Sequence, residues 1–237
     1  SYTMVGPNGG VDLTKTDKSL WGILPRASEF LMGYLNEKVN EGTMTFEAKA
    51  SFLQIYNENL YDLLKDSGPM IEERLIETRN ATDRDNKDSD LLRIREVPKP
   101  RSKLASTKEL PKEVYVSGLS EFRVQTSEDI LRIVTVGTQN RITRSTDFNA
   151  TSSRSHALLQ LTFEIESVSP TGQTLISKSK LNLIDLAGSE KLPIYTENTT
   201  KHVRELSNIN KSLSALGNVI AALASTTRSH IPYRQVI

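Results

Sequence analysis

The sequence predicts an α/β domain of three layers, and three observations carry that prediction. Segments that alternate apolar and polar residues, as strands do, interleave with segments whose apolar residues recur every three or four positions, as helices do. A segment near the carboxyl end, VRELSNINKSLSALGNVIAALAS (203–225), keeps helical spacing through Val203, Leu206, Ile209, Leu213, Leu216, Ile220 and Leu223. The run LNLIDLAGSE (181–190) reads as a strand buried on both faces through Leu181, Leu183 and Ile184, which stops on Asp185 and meets Gly188 three residues later. Open parallel sheets take ligands beyond the carboxyl ends of their strands. A carboxylate followed by a bare backbone position at such an end therefore points to a ligand.

Taken in order, DKSLWGILPRASEFLMGYLNEKVN (17–40) opens on turn formers and becomes helical behind Pro25, which suits a first helical position. Phe30, Leu31, Tyr34, Leu35 and Val39 supply its apolar spacing. FEAKASFLQIYNENLYDLL (46–64) begins as a strand, with Phe46, Ala48, Ala50 and Phe52 alternating against Glu47, Lys49 and Ser51. It is expected to pass into a short helix ending near Leu64. Between Asp66 and Asp90 lie eight acidic and four basic residues without period, so 65–90 reads as a long surface loop. LLRIREV (91–97) is a short strand, PKPRSKLASTKELPK (98–112) a proline-bracketed basic loop, and VYV (114–116) strand again. TSEDILRIVTVG (126–137) is a helix capped by Thr126 or Ser127, with acids in its first turn and Gly137 after its last apolar position. ALLQLTFEIESV (157–168), the turn SPTGQ (169–173) and SKSKLNLIDL (177–186) predict a hairpin feeding the sheet.

Composition narrows the chemistry. At 237 residues the chain suffices for one large domain or two small ones. Lys+Arg 30 against Asp+Glu 29 leaves bulk charge silent about polyanionic partners, so any such partner must be met by a local patch. The absence of cysteine excludes disulfides and cysteine-ligated metal, and three dispersed histidines (His156, His202, His230) exclude a zinc cluster. No apolar run approaches the roughly 18 residues that cross a bilayer, and no secretory signal pattern is visible. The expectation is a soluble intracellular globular domain.

The second chemical segment is NATSSRSH (149–156), whose SSRS sets three serine hydroxyls around an arginine directly before a strand. Hydroxyls and backbone N–H groups suit phosphate oxygens and a hard cation such as Mg²⁺. An aspartate at a strand end can hold one of the cation's waters, and a glycine three residues on lets a backbone N–H approach a terminal phosphate. Arg154 and Glu190, one from each segment, are natural partners for a salt bridge that closes when both loops are in place. Each piece alone has a plainer meaning. DxxG occurs at many strand-to-turn joins, SSRS also describes a solvated turn or a phosphorylation target, and His156 reads as a satisfied hydrogen-bonding residue. The two segments in order, separated by a hairpin, are more specific than either.

NATSSRSH and DLAGSE, followed by NINKSLSALGNVIAAL (208–223) and HIPYR (230–234), resemble the kinesin motor domain. GILPR (22–26), QIYNENLYDLL (54–64), VYVSGLSEF (114–122) and the NR at 140–141 extend the resemblance nearly end to end. It implies a three-layer P-loop NTPase-like fold, incomplete at both ends. Ser1, at the head of Ser1-Tyr2-Thr3-Met4, is similar to the last residue of the family's phosphate-binding loop. The whole chain (1–237) then reads as a partial motor domain with surface insertions at 65–90 and 98–112. The parent implied is a microtubule-stimulated ATPase of the cytoplasm and cytoskeleton, with ATP and Mg²⁺ as cofactors. Ser1, Asn149, Ser152, Ser153, Asp185 and Gly188 are expected at the nucleotide. Ser1 and Ser153 would ligate Mg²⁺ directly and Asp185 through water, Gly188 would sense the γ-phosphate, and Arg154 with Glu190 would position the attacking water. Without the loop that cradles the phosphates, the chain as given is expected to hydrolyse nothing.

The resemblance implies microtubules as the partner, no nucleic acid, no membrane insertion, and an oligomeric state set by segments outside this chain. Lys211, Arg228, His230, Tyr233 and Arg234 are expected to face the acidic tubulin surface; solvated surface charges are the plainer reading of the same residues. One departure stands out: KLPIYTENTTKH (191–202) has no glycine and carries Pro193, where the family has a glycine-containing loop. That difference keeps open an alternative, a non-catalytic tubulin-binding protein with a kinesin-like fold. Myosins and GTPases lack LAGSE and HIPYR. The basic loop 98–112 is expected to add a salt-dependent contact with tubulin, against the plainer reading of a solvated insertion. Neutralising Lys99, Arg101, Lys103, Lys108 and Lys112 should weaken microtubule binding at low ionic strength and flatten its salt dependence. Cosedimentation over a salt series measures this, and unchanged affinity at low salt removes the idea.

Overall fold

The computed structural model describes residues 2–7, 13–65, 67, 71, 77–79, 92–96, 114–143, 154–169, 171–189, 200–225 and 230–233. Its elements run α1 (Tyr2–Val5), two 3-10 turns (Leu13–Lys15 and Lys18–Leu20), α2 (Ile23–Asn40), β1 (Met44–Tyr56) and β2 (Asn59–Asp62). β3 (Glu77–Arg79), β4 (Arg93–Glu96), β5 (Val114–Ser117), β6 (Ser120–Val124) and α3 (Ser127–Thr143) follow. β7 (His156–Val168), β8 (Thr174–Asp185) and α4 (Thr200–Ala224) complete them.

The long alternating segments pair as their patterns require. β1 pairs antiparallel with β7 from Met44 opposite Ser167 to Ile55 opposite His156. β7 turns back into β8, with Val168 opposite Thr174 and Ala157 opposite Asp185. The far side of β1 is shared, β6 taking Ala48–Ala50 and β2 taking Leu53–Tyr56. The sheet order is β3-β6-β1-β7-β8, while β4 and β5 form a separate two-stranded ribbon. Period two then sorts the faces. Ala48, Ala50 and Phe52 lie with Leu159, Leu161, Phe163, Phe122 and Val124 under α2 and α3, and this is the main core. The opposite face carries a smaller cluster of Leu53, Leu60 and Leu119, against which Leu92, Val116 and Leu158 pack. α4 meets that face through His156, so the expected three layers are present.

Several expectations are corrected. The helix foreseen before Leu64 is a hairpin instead. Asn57 and Glu58 take φ of 50° and 63°, the left-handed pair that turns one strand tightly into the next, and β2 follows. The loop 65–90 is interrupted, because Glu77–Arg79 pairs with β6 and Ile71 is buried in the core. SEFRV (120–124), not foreseen as a strand, is β6. The inward stripe of α2 contains Leu24, Ser28, Met32 and Leu35, leaving Phe30 78% and Tyr34 48% exposed. Two apolar stripes run along that helix at the same spacing, and only packing distinguishes them. α4 likewise buries Ile209, Ala215, Val219 and Ala222 and exposes Ile220 and Leu223. Finally, β8 is not buried on both faces of a parallel sheet. Among the described residues every pairing is antiparallel and β8 pairs only with β7, and Ile184 is 44% exposed.

Two glycines are dictated by close approach. A Cβ on Gly22 would lie 2.5 Å from the backbone of Met4 and Val5, so glycine alone lets α1 rest against the start of α2. Gly137 does not end its helix, as the sequence led one to expect, but sits inside α3. There a Cβ would fall 2.2 Å from Cδ1 of the buried Phe52 ring. The helix tolerates a poor helix former because the ring needs the space. Gly137→Ala gains about 1 kcal/mol of helix propensity and suffers overpacking of about 1–3 kcal/mol. Net destabilisation is therefore expected, relieved by a second change, Phe52→Leu. Urea unfolding of the single and double variants decides it: a single variant as stable as the parent means that the ring yields freely.

Candidate functional site

The hairpin register creates the site. Because Ala157 pairs with Asp185, the chain entering β7 at Arg154–His156 runs beside the chain leaving β8 at Leu186–Ser189. The two segments that stood apart in the sequence thus share one end of the sheet. α3 delivers a third element to the same end. Its first turn is fixed by a reciprocal cap, in which Asp129 N–H donates to Thr126 Oγ1 (3.2 Å) while Asp129 Oδ2 accepts from the N–H of Thr126 (2.9 Å) and of Gln125 (2.9 Å). Its last turn brings Asn140 and Arg141.

These two residues pin the surroundings. Asn140 Nδ2 donates to the Leu63 carbonyl (2.7 Å) and to Ser67 Oγ (3.1 Å), holding the segment after β2. Arg141, 8% exposed, donates from Nε to Ser155 Oγ (3.1 Å) and from Nη2 to the Ser155 carbonyl (2.8 Å). Its Nη1 lies 3.4 Å from Asp185 Oδ2, an ion pair whose side chains are 9% and 12% exposed. Burial lowers the guanidinium pKa below its ordinary value, and the neighbouring Asp185 carboxylate opposes that shift. The carboxylate at the strand end is thereby held in one orientation.

His156 is a further buried polar residue of the site. Its Nδ1 accepts from Ala187 N–H (3.0 Å), and its Nε2 lies 3.0 Å from Ser212 Oγ on α4. Burial, reinforced by the Arg141 charge, lowers its pKa below the ordinary imidazole value, with Asp185 opposing. A ring whose Nδ1 accepts from a backbone N–H is in its neutral form, and the direction of that shift agrees.

The anticipated site residues divide. Asp185 ends β8, Arg154 stands half-buried just before β7, and Gly188 is exposed beyond β8. Ser1, Asn149, Ser152, Ser153 and Glu190 lie outside the described residues, as do Arg228 and Arg234 and the basic loop 98–112. Lys211 projects from α4 and forms an exposed ion pair with Glu58 at the β1–β2 turn, where Asn208 Nδ2 also donates to Asn57 Oδ1 (2.6 Å). His230 and Tyr233 follow α4, both exposed. Among the described residues, no group of three or more His, Cys, Asp or Glu is placed to hold a metal, and no helix is long and apolar enough to cross a membrane. The sequence reading gave no role to Arg141, Ser155 and Ser212. Arg141 left a signal: it falls on the helical face marked by Ile130, Val134 and Gly137, where a cation needs a buried partner.

Comparison with known proteins agrees with this arrangement. The kinesin motor domain model matches residues 1–236. The chain is 35% identical over 236 residues to kinesin-like protein KIF11-B of Xenopus laevis, a match covering 99% of this chain and 19% of that protein. It is 32% identical over 258 residues to kinesin-like protein KIF3C of Pongo abelii, covering 99% of this chain and 27% of that one. A solved structure of a fast kinesin is similar with a TM-score of 0.69 and 30% identity, covering 99% of this chain and 54% of the other. The chain therefore spans less than a third of those curated relatives and about half of the solved one. With a family model matched over residues 1–236, a shared α/β P-loop NTPase-like fold and the site built at one end of its sheet, the chain belongs to the kinesin motor domain family.

Proposed function

We propose that this chain is part of a microtubule-based motor whose parent protein hydrolyses ATP and works in the cytoplasm, on the microtubule cytoskeleton. The observation that carries the reading is the convergence at one end of the sheet. The approach to β7, the exit from β8 and the helix α4 meet there, so a change at a bound phosphate reaches a long helix directly. Asp185 fits a role at Mg²⁺, because it is a carboxylate at the strand end held in one orientation by Arg141. Ser1 and Ser153 would hold Mg²⁺ directly and Asp185 through water; the bound ion supplies neutralisation of phosphate charge. Gly188 presents backbone to the γ-phosphate. Asn149 and Ser152 line the nucleotide, and Arg154 with Glu190 orients the attacking water. Lys211, Arg228, His230, Tyr233 and Arg234 face the track, with 65–90 and 98–112 as insertions of the same motor domain.

Phosphate release from ATP, with and without microtubules, tests this on the chain itself and on the chain extended upstream through its phosphate-binding loop. Microtubule-stimulated release is expected from the extended form. In that form Asp185→Ala should lower kcat by about a hundredfold or more, the scale of losing one group that organises transition-state charge. No release from either form, with microtubule binding retained, would instead identify a non-catalytic tubulin-binding module.

A further inference from the structure

His156 is the centre of a chain of hydrogen bonds whose direction the geometry fixes. Ala187 contributes a backbone N–H, which can only donate, so Nδ1 of His156 must be the unprotonated nitrogen. In the neutral ring the proton then sits on Nε2 and points to Ser212 Oγ (3.0 Å). Ser212 spends its single hydroxyl proton on the Ile209 carbonyl (2.8 Å), so it accepts from the histidine. The chain runs Ala187 N–H to His156, His156 to Ser212, and Ser212 to Ile209 C=O. Each donor is used once. Around it Ala187 and Ile209 are buried at 5% and 4% exposure, and Leu213 packs on them.

We propose that His156 is a positioning residue that transmits displacement of the turn after Asp185 into α4, a mechanical link between the two. Ala187 stands two residues beyond Asp185, and Ser212 lies on α4 one residue from Lys211. Because the ring is rooted in β7, whose pairing with β1 and β8 fixes it, motion of the turn either carries α4 with it or breaks the chain. The Asn57–Asn208 and Glu58–Lys211 contacts also hold α4, but they are exposed and exchange readily with water. The functional consequence of the link rests on the motor reading above.

The test uses the full-length protein with Ser212→Ala, Ser212→Thr, His156→Asn and the double variant His156→Asn/Ser212→Ala. Asparagine can still accept from Ala187 N–H but is too short to reach α4, so it cuts the chain where Ser212→Ala does. The first readout is the ratio of microtubule Kd with ADP to that with a non-hydrolysable ATP analogue. Ser212→Ala and His156→Asn should each shrink that ratio by about fivefold or more, within the usual range of coupling between sites. The double variant should lose no more than either single, and Ser212→Thr should retain the wild-type ratio. Unchanged ratios in the single variants, or losses that add in the double, would overturn the link. If His156→Asn does not fold, Ser212→Ala against Ser212→Thr carries the same comparison. The second readout is amide hydrogen exchange at Ala187, which needs no nucleotide chemistry. Ser212→Ala should speed it by about tenfold, as expected for weakening one buried hydrogen bond; unchanged exchange also overturns the proposal. A wild-type Kd ratio of one would refute the motor reading, and the exchange at Ala187 would then decide by itself whether the link stands.

Discussion

One buried cation, Arg141, ties together the end of the sheet at which the candidate site lies. Arg141 reaches from the last turn of α3 to the start of β7, through Ser155, and to the end of β8, through Asp185. Burying a guanidinium and a carboxylate is unfavourable unless their partners are in place, so the pair contributes little net stability. Removing one partner is another matter, costing about 3–5 kcal/mol because the other is left charged and buried. Such a pair does not so much stabilise the fold as forbid other arrangements of it. A shift of β8 by one residue along β7 would exchange the faces on which Asp185 and Ile184 lie, and Arg141 would lose its carboxylate. The ion pair and the hairpin register therefore specify one another.

How much of this the sequence disclosed depends on how local the cause is. The β7–β8 hairpin was legible because alternation and the turn SPTGQ are local, and so was the cap of α3, since Thr126 and Asp129 satisfy each other's backbone. Gly137 misled for the opposite reason. Its cause is the Phe52 ring on another element, and read locally it looks like a helix end. Phe30 and Leu24 on α2 pose the same problem, since two stripes of equal spacing cannot be ranked until a sheet lies under one of them. The site shows the same division. Asp185 announced itself by ending an apolar strand, while Arg141, Ser155 and Ser212 acquire meaning only once α3, β7 and α4 are brought together.

The three long helices among the described residues, α2, α3 and α4, are attached by different physics. α2 and α3 place Leu24, Met32, Leu35, Ile130, Ile133 and Val134 into the main core. Each such side chain is worth about 1.5–3 kcal/mol of burial. α4 buries Ile209, Ala215, Val219 and Ala222, two of them alanines, and is held besides by the part-buried His156–Ser212 bond and two polar contacts at the exposed β1–β2 turn. Exposed polar pairs of the last kind contribute about 0–1 kcal/mol. Free energies of local opening follow such differences. A perturbation at the end of β8 will thus find α4 the easier layer to move.

Apolar packing has a broad optimum, because a helix can slide a little over a greasy surface without losing much. A hydrogen bond tolerates only a few tenths of an ångström and a limited range of angle before it fails. Attaching α4 by directed polar bonds therefore makes its position closer to two-valued, engaged or released, than to continuously variable. Elements that switch rather than drift need that property, since packed interfaces respond to small displacements as bistable units. The polar residues on the inner side of α4, Ser212 among them, look like a weakness if the helix is judged by its burial alone. For a helix that reports the state of the strand end beside it, as proposed for α4, a joint that either holds or breaks is the more informative one.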